Sequence, residues 1–127
     1  MKSLFVICGL IIIFSSCYND KANQLYVTPV TTCDTSSITF SGKVDSIINT
    51  SCAINSSCHG QNAAIGIDFS TYTGVYNQAI TVGDLMNAIQ HSSSLSPIQW
   101  MPQNAPKLSE CEIQQIGVWV NHGALNN

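Results

Sequence analysis

The segment Cys52-Ala-Ile-Asn-Ser-Ser-Cys58-His59-Gly60 brings two thiols and an imidazole within eight residues of one another. Two cysteines followed at once by histidine suit covalent haem attachment. In that chemistry the sulfurs bond the porphyrin's vinyl groups and the imidazole ligates iron. The adjacency of Cys58 and His59 then has a reason: a thioether fixes one edge of the ring, and the next residue carries its imidazole under the metal. The spacer between the cysteines is five residues rather than the usual two. Six residue steps reach much farther than two vinyl groups are apart, so the extra residues must loop out. Asn55-Ser56-Ser57 have the side chains for such a turn. Two plainer readings use the same atoms. Cys52 and Cys58 can close a small disulfide loop, or they can join Cys33 and His59 around zinc. The zinc set matches no familiar ligand spacing, and neighbouring Cys and His are awkward partners on one tetrahedral ion.

Six cysteines occur: Cys8, Cys17, Cys33, Cys52, Cys58 and Cys111. The first lies in residues 1–16, which read as a signal peptide, with Lys2 as the positive end and an apolar run from Leu4 to Phe14. That run is shorter than the about 20 residues of a membrane-spanning helix. Phe14-Ser15-Ser16-Cys17 follows and resembles a bacterial lipobox, so Cys17 is the expected site of lipidation. The plainer alternative is an unlipidated signal peptide cut nearby, with Cys17 a spare thiol. Residues 17–32 are polar and threonine-rich, with Pro29 and no helical or strand period, as a flexible tether would be. The folded domain is expected over 33–127. The expected location is the bacterial cell envelope, lipid-anchored to a membrane and facing periplasm or exterior. Four cysteines remain in oxidising surroundings where bare thiols do not usually persist, and each needs an account.

The elements that must position these residues are helical. The first helix is expected from about Ser41 to Cys52, with Val44, Ile47 and Ile48 on one face, Ser41 as its cap, and Cys52 at its end. A second is expected from about Gly83 to His91, with Leu85, Met86 and Ile89 apolar and Asp84 in the favourable first turn. The third is the clearest. Ser109-Glu110-Cys111-Glu112 forms a capping box, Ile113, Ile116, Trp119 and Val120 make the stripe, and Gly123 stops it. Between them lie loops marked by Gly, Ser and Pro, including Gly60–Tyr76 and Ser92–Lys107. Short helices with long loops leave a thin protein core. Such a domain wants a large apolar object at its centre.

Over about Ser41 to Asn127 the chain resembles the class I cytochrome c family, closest to small haem domains of exported bacterial lipoproteins. Cys58-His59 carries the attachment motif, and Trp100-Met101-Pro102 follows 42 residues after His59 in a proline-bounded loop. That family places a methionine on a downstream loop as sixth iron ligand and ends with a helix crossing the first. Trp119-Val120-Asn121-His122-Gly123-Ala124 looks like the end of that closing helix. The resemblance implies an all-α domain of three main helices and long loops around one haem c. Cys52, Cys58, His59 and Met101 would bind the cofactor, with His59 and Met101 on iron. It also implies a Cys33–Cys111 disulfide, because a segment before the first helix would lie beside the start of the last. Met86 would pack in the core or against the haem face. His91 and His122 read as polar surface or cap residues, and His91 is the first alternative to Met101 at the sixth position.

Charge narrows the partners. Only 9 % of residues are charged, arginine is absent, and the formal net charge is −3, so no basic stripe for nucleic acid exists. No Ser-His-Asp pattern, phosphate-cradling glycine motif or carboxylate pair stands out. A methionine on iron fills the position a substrate would need, so the expected function is single-electron transfer by a monomer to a redox protein partner, not catalysis. Two other classes stay open. One is a haem enzyme or sensor with an open iron site. The other is a haem-free lipoprotein binding module stapled by disulfides.

Overall fold

Thr39 starts the first helix, its hydroxyl oxygen accepting a hydrogen bond from the Gly42 N–H. That satisfies one of the donors every helix start leaves open. A computed structural model of the chain describes residues 32–127, and residues 33–127 form a compact unit of their own. The expected signal peptide, the expected lipidation site Cys17 and nearly all of the expected tether lie outside the described residues. From Thr39 the chain makes a π-wound turn, Phe40–Val44, that runs without a break into helix α1, Asp45–Ser51. Ser41 is not the cap. Its N–H and hydroxyl both donate to the Asn127 carbonyl, fastening the helix start to the far end of the domain.

Helix α2 spans Tyr72–Tyr76 and continues as a π-wound turn, Asn77–Thr81. Helix α3 is Leu85–Ile89, a short 3-10 turn covers Pro97–Gln99, and helix α4 is Glu110–Asn121. No strand occurs among the described residues, and the class is all-α. Among the described residues the α-helices number four rather than three, because α2 occupies part of a stretch expected to be loop. Its residues hide it: Gly74 is a poor helix former, and Thr73 and Asn77 are little better. Gly74 is nonetheless needed, since a Cβ there would overlap the Asp68 carbonyl. The turn that buries Val75 and Ala79 therefore packs directly on the preceding loop.

Helix α4 is built as its sequence dictates. The Glu112 N–H donates to the Ser109 hydroxyl oxygen at 3.2 Å, and the Ser109 N–H donates to the Glu112 carboxylate at 2.9 Å. Ile113, Ile116 and Trp119 are buried along one face, each contributing about 1.5–3 kcal/mol if fully removed from water. The helix ends at His122, with Gly123 beyond it at a φ of 87°. Trp119 anchors the core. Its ring lies 5.6 Å from Phe40 and its Nε1 donates to the Leu125 carbonyl, while Phe40 meets Tyr72 edge-on at 5.1 Å. Val44, Ile48, Val75, Ile89 and Ile116 complete the buried centre.

Cys33 and Cys111 are joined in a disulfide with their Cα atoms 5.3 Å apart. Next to it the buried Gln115 donates from Nε2 to the Asp34 carbonyl at 2.9 Å. The segment before the first helix is thus tied to the first turns of α4 by one covalent and one hydrogen bond. No helix among the described residues is long and apolar enough to cross a membrane.

Candidate functional site

The end of α1 delivers Cys52 buried and in position for the next eight residues to fold back on it. Asn55 organises that return. Its side-chain oxygen accepts from the Ser57 and Cys58 N–H groups, and its carbonyl accepts from those of Cys58 and Gly60. The His59 N–H then donates to the Cys52 carbonyl at 3.1 Å. With a two-residue spacer, histidine would follow the first cysteine by four positions, the spacing of the ordinary helical hydrogen bond. Here the same bond crosses three more residues. The long spacer is absorbed in an Asn55-centred loop, which brings the His59 N–H back onto the Cys52 carbonyl.

Gly60 closes this loop tightly. A Cβ there would stand 2.6 Å from the Asn55 carbonyl carbon and 2.7 Å from its oxygen. Gly60→Ala is expected to push the Asn55 turn away and cost about 1–3 kcal/mol. Urea denaturation measures the loss, and a variant as stable as the parent would show that the turn is free to shift.

His59 is 8 % exposed, its ring stacked on Phe69 with centroids 4.4 Å apart. Its Nδ1 lies 3.1 Å from the Ile67 carbonyl oxygen. A carbonyl can only accept, so Nδ1 carries the proton and Nε2 keeps its lone pair in the neutral ring. Metal-ligating histidines are commonly oriented this way, the other nitrogen donating to a backbone carbonyl. The loop that supplies Ile67 and Phe69 is itself fixed. Asp68 accepts from Ser70 and Asn62 N–H groups, and the Ser70 hydrogen bonds hold its carboxyl below the usual range. The Phe69 N–H donates back to the His59 carbonyl at 2.7 Å.

Cys52, Cys58, His59 and Met101 all line one cavity of ≈ 500 Å³, within the range of about 300–1,000 Å³ typical of cofactor sites. Ile67, Phe69, Leu85 and Ala88 make much of the remaining wall, and among the described residues lining it Asp84 is the only one of the Asp, Glu, Lys and Arg types. Both cysteines are free thiols, not bonded to each other. Burial pushes the Cys52 thiol up to about 11, with the nearby Cys58 and Glu112 adding to the effect, so it stays protonated at neutral pH. The zinc set loses a member, because Cys33 is committed to Cys111. Among the described residues no three His, Cys, Asp or Glu side chains converge as a metal group.

The remaining expected residues fall elsewhere. His122 caps the end of α4 and is exposed. Met86 packs partly buried against the core and lines a separate groove beside Gly117, not this cavity. His91 does not line the cavity either; its Nε2 hydrogen-bonds to the Met101 carbonyl. Sequence reasoning missed the Ile67 carbonyl and the Phe69 platform, and named Asn55 as one of three turn formers. Only Asn55 carries a signal in the sequence, as a turn-forming residue between two cysteines. Comparison with protein-family models, with curated proteins and with solved structures returns no match to this chain.

Proposed function

We propose that the protein is a single-electron carrier: a monohaem c-type cytochrome of the class I kind, lipid-anchored through Cys17 in a bacterial cell envelope. One observation carries the reading. Four residues spread over fifty positions, Cys52, Cys58, His59 and Met101, line a single largely apolar cavity of cofactor size. The donor set fits the group. Two free thiols would form the thioethers, the His59 Nε2 lone pair would bind iron, and Met101 would supply a thioether sulfur as the sixth ligand. Bound there, haem supplies a reversible one-electron couple, with potential raised by histidine–methionine ligation and by burial.

The chain's own contribution is orientation and exclusion of water. The Ile67 carbonyl and the Phe69 ring fix the imidazole plane of His59. The aliphatic wall of Ile67, Leu85 and Ala88 keeps the centre dry. No lysine or arginine among the described residues lines the cavity, so Ser51, Ser57, Gln78, Gln99 and Gln103 are the neutral donors available to the carboxylate edge of a haem. A monomer that exchanges electrons with a redox protein partner follows from this reading.

Visible spectroscopy with redox titration of the purified exported protein tests it. The expected result is a low-spin spectrum and a one-electron reversible wave. A high-spin spectrum replaces the carrier with an enzyme or sensor holding an open iron site. The absence of a Soret band leaves a haem-free lipoprotein.

A further inference from the structure

His91 occupies a backbone conformation uncommon outside glycine, in which asparagine, aspartate and histidine are the usual exceptions. It stands just past α3 with φ of +54°, the left-handed region where glycine or asparagine sits more easily. The ring stacks on Trp100 with centroids 5.1 Å apart and planes 5° from parallel. Its Nε2 lies 3.1 Å from the Met101 carbonyl oxygen, which can only accept, so Nε2 is the donor. On the other side of the same residue, the Met101 N–H donates to the Ala88 carbonyl at 3.1 Å. The Trp100 Nε1 donates to the Ser92 carbonyl at 3.0 Å. Three hydrogen bonds and one stacked pair therefore strap Trp100-Met101 to the end of α3, and two of those bonds bracket the Met101 Cα.

We propose that His91 is a positioning residue for Met101, holding its backbone so that the thioether is presented to the iron without a search. The inference rests on the reading of Met101 as sixth ligand. Methionine needs such help, because its side chain has three rotatable bonds and its sulfur is a weak donor. A backbone fixed on both sides removes part of the ordering cost that ligation would otherwise carry. His91 acts through Met101 and does not itself reach the cavity.

The test uses the ferric haem-loaded protein and titrates imidazole as a competitor for the sixth position. His91→Phe keeps an aromatic ring for Trp100 but cannot donate to Met101. It is expected to raise the apparent affinity for imidazole roughly tenfold, the scale seen when a supporting partner of a metal ligand is lost. The near-infrared charge-transfer band of methionine ligation should weaken alongside. Met101→Ala should raise imidazole affinity further, and adding His91→Phe to it should change nothing more, since the residue through which His91 acts is gone. His91→Asn, whose shorter amide sits easily at positive φ, gives the same reading if the phenylalanine variant does not fold. Unchanged imidazole affinity in the His91 variants, with Met101→Ala responding, overturns the role of His91 and leaves methionine ligation standing. No response from Met101→Ala itself removes the ligation, and the positioning role with it.

Discussion

Acid–acetone extraction of the exported protein is expected to leave the haem on the chain. Thioether formation adds the thiol across a vinyl double bond: sulfur bonds one carbon, the proton goes to its neighbour, and nothing leaves. The product survives conditions that strip a merely ligated haem. Both cysteines are placed to take part. Cys52 and Cys58 are free thiols on one cavity, and the His59-to-Cys52 backbone hydrogen bond folds the five-residue spacer back on itself. Cys52→Ala and Cys58→Ala should each leave one thioether and a haem that still resists extraction. The double variant should release all of it. The reduced pyridine complex reports the number of bonds, because each vinyl saturated shifts its visible band in the same direction. Complete extraction from the unmutated protein would exclude covalent attachment, whatever the fold.

Replacing Cys33 and Cys111 together by alanine should cost about 4 kcal/mol of stability, by the loop-entropy account of a crosslink this long. The two residues are 78 positions apart, so the bond restrains nearly the whole of the described unit in its unfolded state. For a domain of this size that loss corresponds to a fall in Tm of roughly 15–30 °C. Calorimetry of the two proteins under non-reducing conditions measures it, with peptide mapping to verify the Cys33–Cys111 link in the parent. A shift of only a few degrees would show that the crosslink does little to the unfolded chain.

The parts of the fold that the sequence announces are those where local chemistry and packing agree. The Ser109–Glu112 box and the spacing of Ile113, Ile116 and Trp119 specify α4 almost to the residue. Val44, Ile47 and Ile48 mark α1, although its cap is Thr39 because Ser41 is taken by Asn127. The turn of Tyr72–Tyr76 is illegible for the opposite reason. Its propensity is poor, and it exists because Val75 and Ala79 meet the core and Tyr72 donates to the Ala124 carbonyl, 52 positions away. The site divides along the same line. Side chains named by motif were visible as residue types, and the structure places them on one cavity. Backbone atoms that orient them, the Ile67 and Cys52 carbonyls, have no side-chain identity and leave no trace in sequence. His91 was legible as a surface or cap residue and as the alternative to Met101 on iron, but not as the partner of a carbonyl ten residues on.

The Cys33–Cys111 bond also sets where mechanical load enters the domain. Any tension on the chain leading into Cys33 passes through the disulfide to Cys111, in the first turn of α4, and Gln115 shares it through the Asp34 carbonyl. The bond bypasses every residue from 34 to 110. Pulling from that side cannot peel α1 away turn by turn, nor open the cavity from its Cys52 edge. It must dislodge α4 bodily, with Ile113, Ile116 and Trp119 buried along its length. Resistance to force is governed by the unfolding rate rather than by equilibrium stability. A domain dragged by its leading end is therefore gripped at the longest of its described helices, and the residues that would hold the haem stay out of the line of pull.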